Sequence, residues 1–136
     1  MKPVKTLKVL GEQVDVITNG EMTNGASTFV IQTTSPGGGP PPHRHTREDE
    51  TFTVLEGDFE VLDNGQWRGV PKGEFFFSPR GEVHTFRNSG TTVGKMAVFI
   101  APAGFEKFFE QMEGLTPADM PEILKIADKF GLSFHF

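Results

Sequence analysis

His43 and His45 are the first residues in this sequence whose type and spacing suggest chemistry. Two residues apart in a strand, their imidazoles project from the same face while Arg44 faces the other way. Neutral imidazole is a common ligand of divalent transition metals, and a nearby carboxylate often completes the set of ligands. The pair therefore indicates a metal site, provided that its face of the strand points into the protein.

Three acidic residues follow at positions 48–50 and are the candidates for the carboxylate ligand. Strict alternation from His45 brings Asp49 to the histidine face, whereas Glu50 reaches that face only if a turn or bulge intervenes. Glu50, however, shares a face with Phe52, a predicted core residue of the next strand. The pattern favours Glu50 and leaves Asp49 open.

Composition narrows the class of protein. The chain has 136 residues, of which 36% are hydrophobic, which fits one soluble globular domain. Cysteine is absent, which excludes disulfides, thiolate ligands and a cysteine nucleophile, and tyrosine is absent too. A net charge of −5 without a basic cluster argues against nucleic acid or a membrane as partner. Residues 1–5 do not begin a secretory signal, so we expect a cytoplasmic protein.

The elements that must position the histidines are mostly short strands. Sixteen glycines and ten prolines favour a fold rich in turns. Asn64-Gly65 predicts a type I′ hairpin turn. The β-branched and aromatic runs predict about nine strands, near residues 8–10, 14–17, 27–33, 51–55, 59–62, 66–68, 75–77, 83–86 and 93–100, with a further candidate at 132–136.

Toward the C-terminus the hydrophobic period changes to that of helices. Phe105, Phe108, Phe109 and Met112 recur at helical spacing, and a second helical pattern covers residues 123–130. Pro121 suits the first position of that second helix, and Gly131 suits the residue that ends it. Strands followed by one or two helices predict an all-β sandwich or small barrel with a helical C-terminal segment.

Two longer motifs carry a resemblance to a known family. Residues 37–57 read G-x5-H-x-H-x4-E-x6-G, and residues 73–88 read G-x5-P-x-G-x2-H-x3-N. These segments resemble the two motifs of the cupin superfamily. Residues 39–52, the Phe-Phe segment at 105–112 and residues 129–134 are further similar to small quercetin-dioxygenase-like cupins.

The resemblance implies a double-stranded β-helix, the jelly-roll barrel of cupins, as a single domain over residues 1–136. It places the barrel at about 8–101 and the helical segment at about 104–131. It implies that one divalent transition metal ion per chain (Fe, Mn, Ni, Co, Cu or Zn) is held by His43, His45, Glu50 and His84. It thereby selects Glu50 over Asp49, because Asp49 breaks the x6-G spacing.

The remaining candidate residues receive more ordinary interpretations. Phe52 and Phe86 lie two residues from Glu50 and His84 and so share the ligand face; with Phe77 they are the candidates for a substrate pocket. Phe105, Phe108 and Phe109 are expected on a helix that covers the barrel or a partner subunit. Arg44, Arg47, Glu48 and Asp49 are interpreted as a solvated turn, and His135 as a surface residue.

A site of three neutral histidines and one carboxylate leaves two positions of an octahedral divalent ion open. Such a site can bind an enol or diketone through two oxygens and acidify it, and with a redox-active metal it can use O₂. We therefore expect a metal-dependent dioxygenase for a small chelating enol, diketone or flavonol-like substrate. Glu50 is the candidate general base once it leaves the metal, with its pKa raised by the apolar cavity walls.

Two other functions are compatible with the same residues. One is a non-catalytic or non-redox protein that binds a small ligand such as a sugar or an organic acid, and the other is a metal-dependent isomerase or lyase. A homodimer is expected in each case, because small jelly rolls have exposed sheet edges that a second copy covers.

Overall fold

The computed structural model describes residues 2–136; Met1, the first residue of the predicted domain, lies outside them. Within this range eleven strands and two α-helices are present. The strands are β1 (Lys5–Val9), β2 (Glu12–Thr18), β3 (Thr28–Thr34), β4 (His43–His45), β5 (Asp49–Glu56), β6 (Phe59–Asp63), β7 (Gln66–Val70), β8 (Phe75–Ser78), β9 (Val83–Asn88), β10 (Gly94–Ala101) and β11 (Leu132–Phe134). The helices are α1 (Glu106–Met112) and α2 (Met120–Lys129), with a short 3-10 helix at Pro117–Asp119 between them.

The strands form two sheets that pack face to face. One has six strands in the order β1-β2-β3-β10-β5-β8, and the other has five in the order β11-β4-β9-β6-β7. Neighbours within each sheet are antiparallel, and several that touch are far apart in sequence, such as β3 and β10. This is the jelly-roll arrangement, so the predicted fold class is confirmed.

Alternation of apolar residues places the core between the sheets. In β2 the buried residues are Val14 and Val16, and in β5 they are Phe52 and Val54, each separated by a more exposed neighbour. Period-two burial is the consequence of a pleated strand with one face on the core. Because Glu50 precedes Phe52 by two residues, the same alternation turns its side chain inward.

Turn and helix-end residues predicted from the sequence account for the turn between β6 and β7 and for the end of α2. Asn64 and Gly65 both have positive φ angles, 52° and 77°, as the predicted type I′ turn between β6 and β7 requires. Gly131 has a φ of 71° two residues after Lys129, the last residue of α2, and directly after the capping residue Phe130, which confirms it as a helix-ending residue. Pro121 is the second residue of α2 rather than the first, because the helix begins at Met120.

The sequence predicted about nine strands, fewer than the eleven of the described range. The prediction omitted β4 as a separate element, since three residues carry no periodicity, and it began β1 three residues too late. The two helices lie where the period predicted them, and their apolar faces join the barrel core. None of the helices in the described range is long and apolar enough to cross a bilayer.

Candidate metal centre

Three histidines reach the site from adjacent strands of the five-stranded sheet. His43 and His45 lie on β4 with Arg44 exposed between them, as their spacing predicted. β9 pairs with β4 so that His84 stands directly opposite His43. The pairing of distant strands therefore places three imidazoles on one inward face, and all three residues are buried.

Glu50 comes from the opposite sheet, because the chain turns between β4 and β5. The break at residues 46–48 resets the alternation, so Glu50 faces inward and is buried. Asp49 points outward, where it accepts hydrogen bonds from the backbone and the guanidinium of Arg80 at 2.8–3.2 Å. The alternative left open by the sequence pattern is thus decided in favour of Glu50.

The four side chains form one compact cluster. One ligand atom from each of His43, His45, Glu50 and His84 lies within 4.8 Å of the other three. His45 Nε2 is 2.5 Å and His84 Nε2 is 3.6 Å from Glu50 Oε1. Donor atoms about 2.1 Å from one ion are at most about 4.2 Å apart, so small side-chain movements are enough to close this cluster on a metal.

The outward nitrogen of each ring faces a separate neighbour, which holds it by a hydrogen bond in His43 and His84. His43 Nδ1 lies 2.8 Å from the carbonyl oxygen of Pro41, and His84 Nδ1 lies 2.8 Å from the hydroxyl of Ser78. His45 Nδ1 lies 3.4 Å from a carboxylate oxygen of Glu48. An acceptor at Nδ1 selects the tautomer whose Nε2 lone pair is free for an ion.

Without a cation in the cluster, His43 and His45 differ in their protonation. Burial lowers the pKa of His43 to about 3, with repulsion from His84 and His45 acting in the same direction, so this ring is neutral. Burial also lowers the pKa of His45, but attraction to the carboxylates of Glu50 and Glu48 outweighs it and raises that pKa to about 9. In the metal-free cluster the proton on His45 thus compensates the negative charge of the carboxylates. A bound metal ion is expected to take over this role.

The expected rise in the pKa of Glu50 is wrong in sign. Burial does raise this pKa, as the apolar walls predicted, but attraction to the nearby rings of His45 and then His84 holds it well below its usual range. Sequence reasoning considered the walls and omitted the neighbouring rings.

Two further observations fit a metal ion. Glu50 Oε1 and His84 Nε2 are buried atoms of the cluster for which the residues from 2 to 136 supply no hydrogen-bond partner. Buried polar atoms without partners are rare because each costs free energy. A divalent ion bound by these atoms removes that cost, and the donor set of three imidazoles and one carboxylate suits borderline transition metals.

A cavity of about 190 Å³ opens onto this cluster. His43, His45 and Glu50 form one part of its wall, and the rest is predominantly apolar. Phe52 and Phe86 line the cavity, in agreement with the prediction that they share the ligand face. A molecule in this apolar cavity can therefore reach the coordination positions of the ion that the protein leaves open.

Phe77 does not line this cavity, contrary to its prediction as a pocket residue. It pairs with Thr51, while Phe76 pairs with Phe52, so Phe76 is the phenylalanine of β8 that faces the core. Phe77 lies on the outer face of the sheet with 57% of its surface exposed. A run of three phenylalanines gives no signal of which alternate residue points inward.

Glu48 departs from its interpretation as part of a solvated turn. Arg44 and Arg47 are exposed as expected, but Glu48 is only 5% exposed and faces His45. Because glutamate is polar, its side chain was expected to face solvent. The turn between β4 and β5 instead folds this carboxylate under the cluster.

The sequence also missed that the C-terminal helical segment helps to form the cavity. Phe105, Phe108 and Phe109 line it, and the ring of Phe105 packs edge-on against His45 with the ring centroids 4.5 Å apart. Their helical spacing correctly predicted a face that covers the barrel. The end of the barrel that they cover is the one that contains the histidines, and periodicity alone carries no information on that point.

A jelly roll with a buried cluster of three histidines and one glutamate is the arrangement that the two sequence motifs anticipated. Residues 30–100 match the family model described as the Cupin domain. The chain therefore belongs to the cupin family, and its cluster of His43, His45, Glu50 and His84 could hold a metal ion.

Similar proteins differ in what their names say. An uncharacterised protein of Aquifex aeolicus is 34% identical over 88 residues, which cover 65% of this chain and 69% of that protein. An oxalate oxidase of Triticum aestivum is 41% identical over 73 residues, 48% of this chain, but the chain spans only 33% of its length. A solved structure described as a predicted oxalate decarboxylase from Thermotoga maritima superposes with a TM-score of 0.62 at 26% identity, covering 75% of this chain and 93% of that one.

Proposed function

We propose that this cupin is a metal-dependent dioxygenase, of the quercetin-dioxygenase-like kind, for a small apolar molecule that presents a chelating pair of oxygens. The observation that carries the proposal is the apolar cavity that opens onto His43, His45 and Glu50. A ligand with an apolar body and a polar chelating end matches a space with apolar walls and metal ligands in one part of its surface.

The size of the cavity favours a small enol or β-diketone over a flavonol. At about 190 Å³ it is smaller than the ~300–1,000 Å³ typical of sites for drug-sized ligands. Phenylalanine rings from both the barrel and the helical segment form its walls, which leaves room for a short apolar chain or one small ring. A three-ring flavonol requires movement of these side chains.

The reaction is balanced without a further electron donor. When bound, the metal supplies Lewis-acid polarisation of the chelating oxygens and, if it is redox-active, electron transfer to O₂. Cleavage of one carbon–carbon bond of a β-diketone then yields one carboxylic acid and one α-dicarbonyl product, with both atoms of O₂ in the products. The apolar walls exclude water from the reacting atoms.

Glu50 is proposed as the group that accepts the proton of the chelated substrate. It lines the cavity next to the imidazoles, within reach of a molecule held there. A cation bound beside this carboxylate favours its ionised form, so Glu50 is a weak base there. It can remove a proton only from a substrate whose acidity chelation has already raised, which restricts the reaction to enols and diketones.

The alternative is binding of a small organic acid without turnover, and it is favoured by a relative from Thermotoga maritima that is named an oxalate-binding protein. The charges around the cavity weigh against a dianion such as oxalate. Glu12 and Glu50 line this space, and none of the lysines or arginines between residues 2 and 136 does. A dianion there is therefore attracted by the metal ion alone and repelled by two carboxylates.

Oxygen consumption with defined metals separates the two functions. Protein stripped of metal and reloaded with Fe(II), Mn(II), Co(II), Ni(II), Cu(II) or Zn(II) is mixed with a series of small β-diketones in an oxygen electrode. We expect substrate-dependent O₂ uptake with at least one redox-active metal and none with Zn(II) or with His43→Ala. Asp49→Asn, which changes an exposed carboxylate, is the matched control and should retain uptake. Saturable oxalate binding without O₂ uptake on any substrate would overturn the dioxygenase proposal.

We also propose that the chain forms a homodimer through the outer face of the six-stranded sheet. Phe75, Phe77 and Phe99 are 71%, 57% and 45% exposed on this face, and Thr51 lies between Phe77 and Phe99 in the register. Three phenylalanines exposed to this extent present about 350 Å² of apolar surface. That is a large part of the ~800 Å² that each partner buries in a stable interface, and a second copy offers the same surface.

Light scattering coupled to size-exclusion chromatography tests the dimer. The unchanged protein should elute with twice the chain mass at micromolar concentration, and Phe77→Glu should elute as a monomer. Val93→Glu, which changes an exposed apolar residue outside any strand, is the control and should remain dimeric. A monomeric unchanged protein would contradict the proposal.

A further inference from the structure

Glu48 is a buried carboxylate whose position calls for an explanation. It is 5% exposed, lies in the turn between β4 and β5, and directs Oε1 toward His45 Nδ1 at 3.4 Å. Neither of these two atoms has a hydrogen-bond partner in the described range of residues 2–136. A buried carboxylate oxygen without a partner destabilises the fold. A glutamate is retained here at a cost that an apolar residue avoids.

The two other histidines of the cluster show what Glu48 does for His45. His43 Nδ1 is held by a backbone carbonyl and His84 Nδ1 by a serine hydroxyl, both at 2.8 Å. Glu48 occupies the equivalent place beside His45 but carries a full negative charge. A charged acceptor holds an N–H more strongly than a neutral one and makes the opposite nitrogen of the ring a better electron donor.

We propose that Glu48 is a positioning residue of the metal centre. Its carboxylate accepts a hydrogen bond from His45 Nδ1–H, which fixes the ring so that Nε2 faces the ion and strengthens that nitrogen as a ligand. The 3.4 Å separation is short enough that a small movement of either side chain would form this bond. Glu48 and Glu50 together also balance the two positive charges of a divalent ion, so that the centre is neutral before a ligand enters.

The adjacent residue provides a matched comparison. Asp49 has the same charge and is one position away, but it is partly exposed and ion-paired with Arg80 on the outside of the barrel. Removing either charge changes the net charge of the protein equally. Only removal of the charge at Glu48 changes a group that contacts a cluster histidine, so the pair separates a local effect from a general electrostatic one.

Metal affinity tests the role of Glu48. Dissociation constants for Co(II) are measured by competition with a chelator for the unchanged protein, Glu48→Gln, Asp49→Asn and His43→Ala. We expect Glu48→Gln to bind Co(II) about 10–100-fold more weakly, the range found when outer partners of ligating histidines are removed. Asp49→Asn should bind within about twofold of the unchanged protein, since its carboxylate does not face the cluster.

A proton NMR spectrum of the Co(II) protein supplies a readout that loss of stability does not mimic. Each ligating histidine with a held Nδ1–H gives an exchangeable, strongly shifted signal, so three are expected. In Glu48→Gln the signal of His45 should move or broaden through exchange with water, and the other two should stay. Three unaltered signals together with unaltered affinity would overturn the role of Glu48.

Because this inference rests on the proposed metal site, the variants are chosen to separate the two failures. If His43→Ala binds Co(II) as well as the unchanged protein, the metal site itself is wrong. If His43→Ala loses the metal while Glu48→Gln does not, only the positioning role is wrong. If Glu48→Gln abolishes binding as completely as His43→Ala, Glu48 is a ligand, which also overturns the inference. Circular dichroism of the metal-free variants checks folding. If Glu48→Gln does not fold, Glu48→Asp is used in its place and judged by the same criteria.

Discussion

Metal binding should compete with the proton on His45. Without a cation in the cluster, Glu50 and Glu48 outweigh burial and raise the pKa of His45 to about 9, so the ring carries a proton at neutral pH. Nε2 of this ring is also a ligand atom of the cluster. A metal ion therefore displaces the proton, and raising the pH should strengthen binding.

The size of this effect follows from the pKa. Below a pKa of about 9, each pH unit should change the apparent dissociation constant about tenfold, or about 1.4 kcal/mol, which amounts to about 100-fold between pH 6 and pH 8. His43 adds nothing in this range, because its pKa of about 3 leaves it neutral throughout. Glu50, whose pKa is lowered, is ionised throughout as well.

Isothermal titration calorimetry measures the proton directly. Zn(II) or Co(II) is titrated at pH 7 in buffers with different heats of ionisation, and the slope of the observed enthalpy against buffer enthalpy gives the number of protons released. We expect about one proton per ion, in agreement with the about tenfold change in affinity per pH unit.

The variants at positions 48 and 49 test the cause. Glu48→Gln removes one of the groups that raise the pKa of His45, so fewer protons should be released at pH 7. Asp49→Asn should leave the number unchanged, because Asp49 pairs with Arg80 outside the cluster. Affinity that is flat with pH, or binding without proton release, would refute this account of His45.

The folded protein should respond to three further changes. Because the pKa of His45 is raised on folding, the pairing of its protonated ring with Glu50 and Glu48 stabilises the metal-free protein fully below about pH 6.5, and this stabilisation is lost as the pH rises to about 9. In thermal unfolding the Tm of the metal-free protein should therefore fall over this range. Bound metal should abolish the fall. Gly39→Ala places a Cβ 2.1 Å from the carbonyl oxygen of Phe86 at a φ of 151°, so unfolding in urea should show a loss of at least about 2 kcal/mol, while Gly69→Ala, with open space, should change little. Phe105→Ala removes a cavity wall at a cost of about 3–5 kcal/mol and should admit bulkier diketones, which binding measurements on a series of increasing chain length can check.

Much of the fold could be predicted from local patterns. The Asn64-Gly65 turn, the helical periods near Phe105 and Ile123 and the termination of α2 before Gly131 each depend on residues close together in sequence. Such features follow from backbone sterics and side-chain periodicity, which act the same way in any fold. The metal identity, the substrate, the homodimer and the cytoplasmic location stay predictions.

The site was predictable in its residue types and less so in its surroundings. His43 and His45 share a face because a strand repeats every two residues, and this holds whatever the rest of the chain does. Asp49 and Glu50 were not separable by that rule, since the turn after β4 resets the alternation. The family motif selected Glu50, and the structure supplies the physical reason in that turn.

The sequence by itself determined which side chains are available to bind a metal and which neighbours share a face. Tertiary structure alone decided that Glu48 is buried beside His45, that Phe77 faces outward, and that Phe105 closes a cavity over the cluster. Periodicity fixes the relative orientation of residues along one element and contains no information on what packs against it. Contacts between β4, β9, β5 and the helical segment join residues far apart in the chain, and these contacts set both the pKa of His45 and the shape of the cavity.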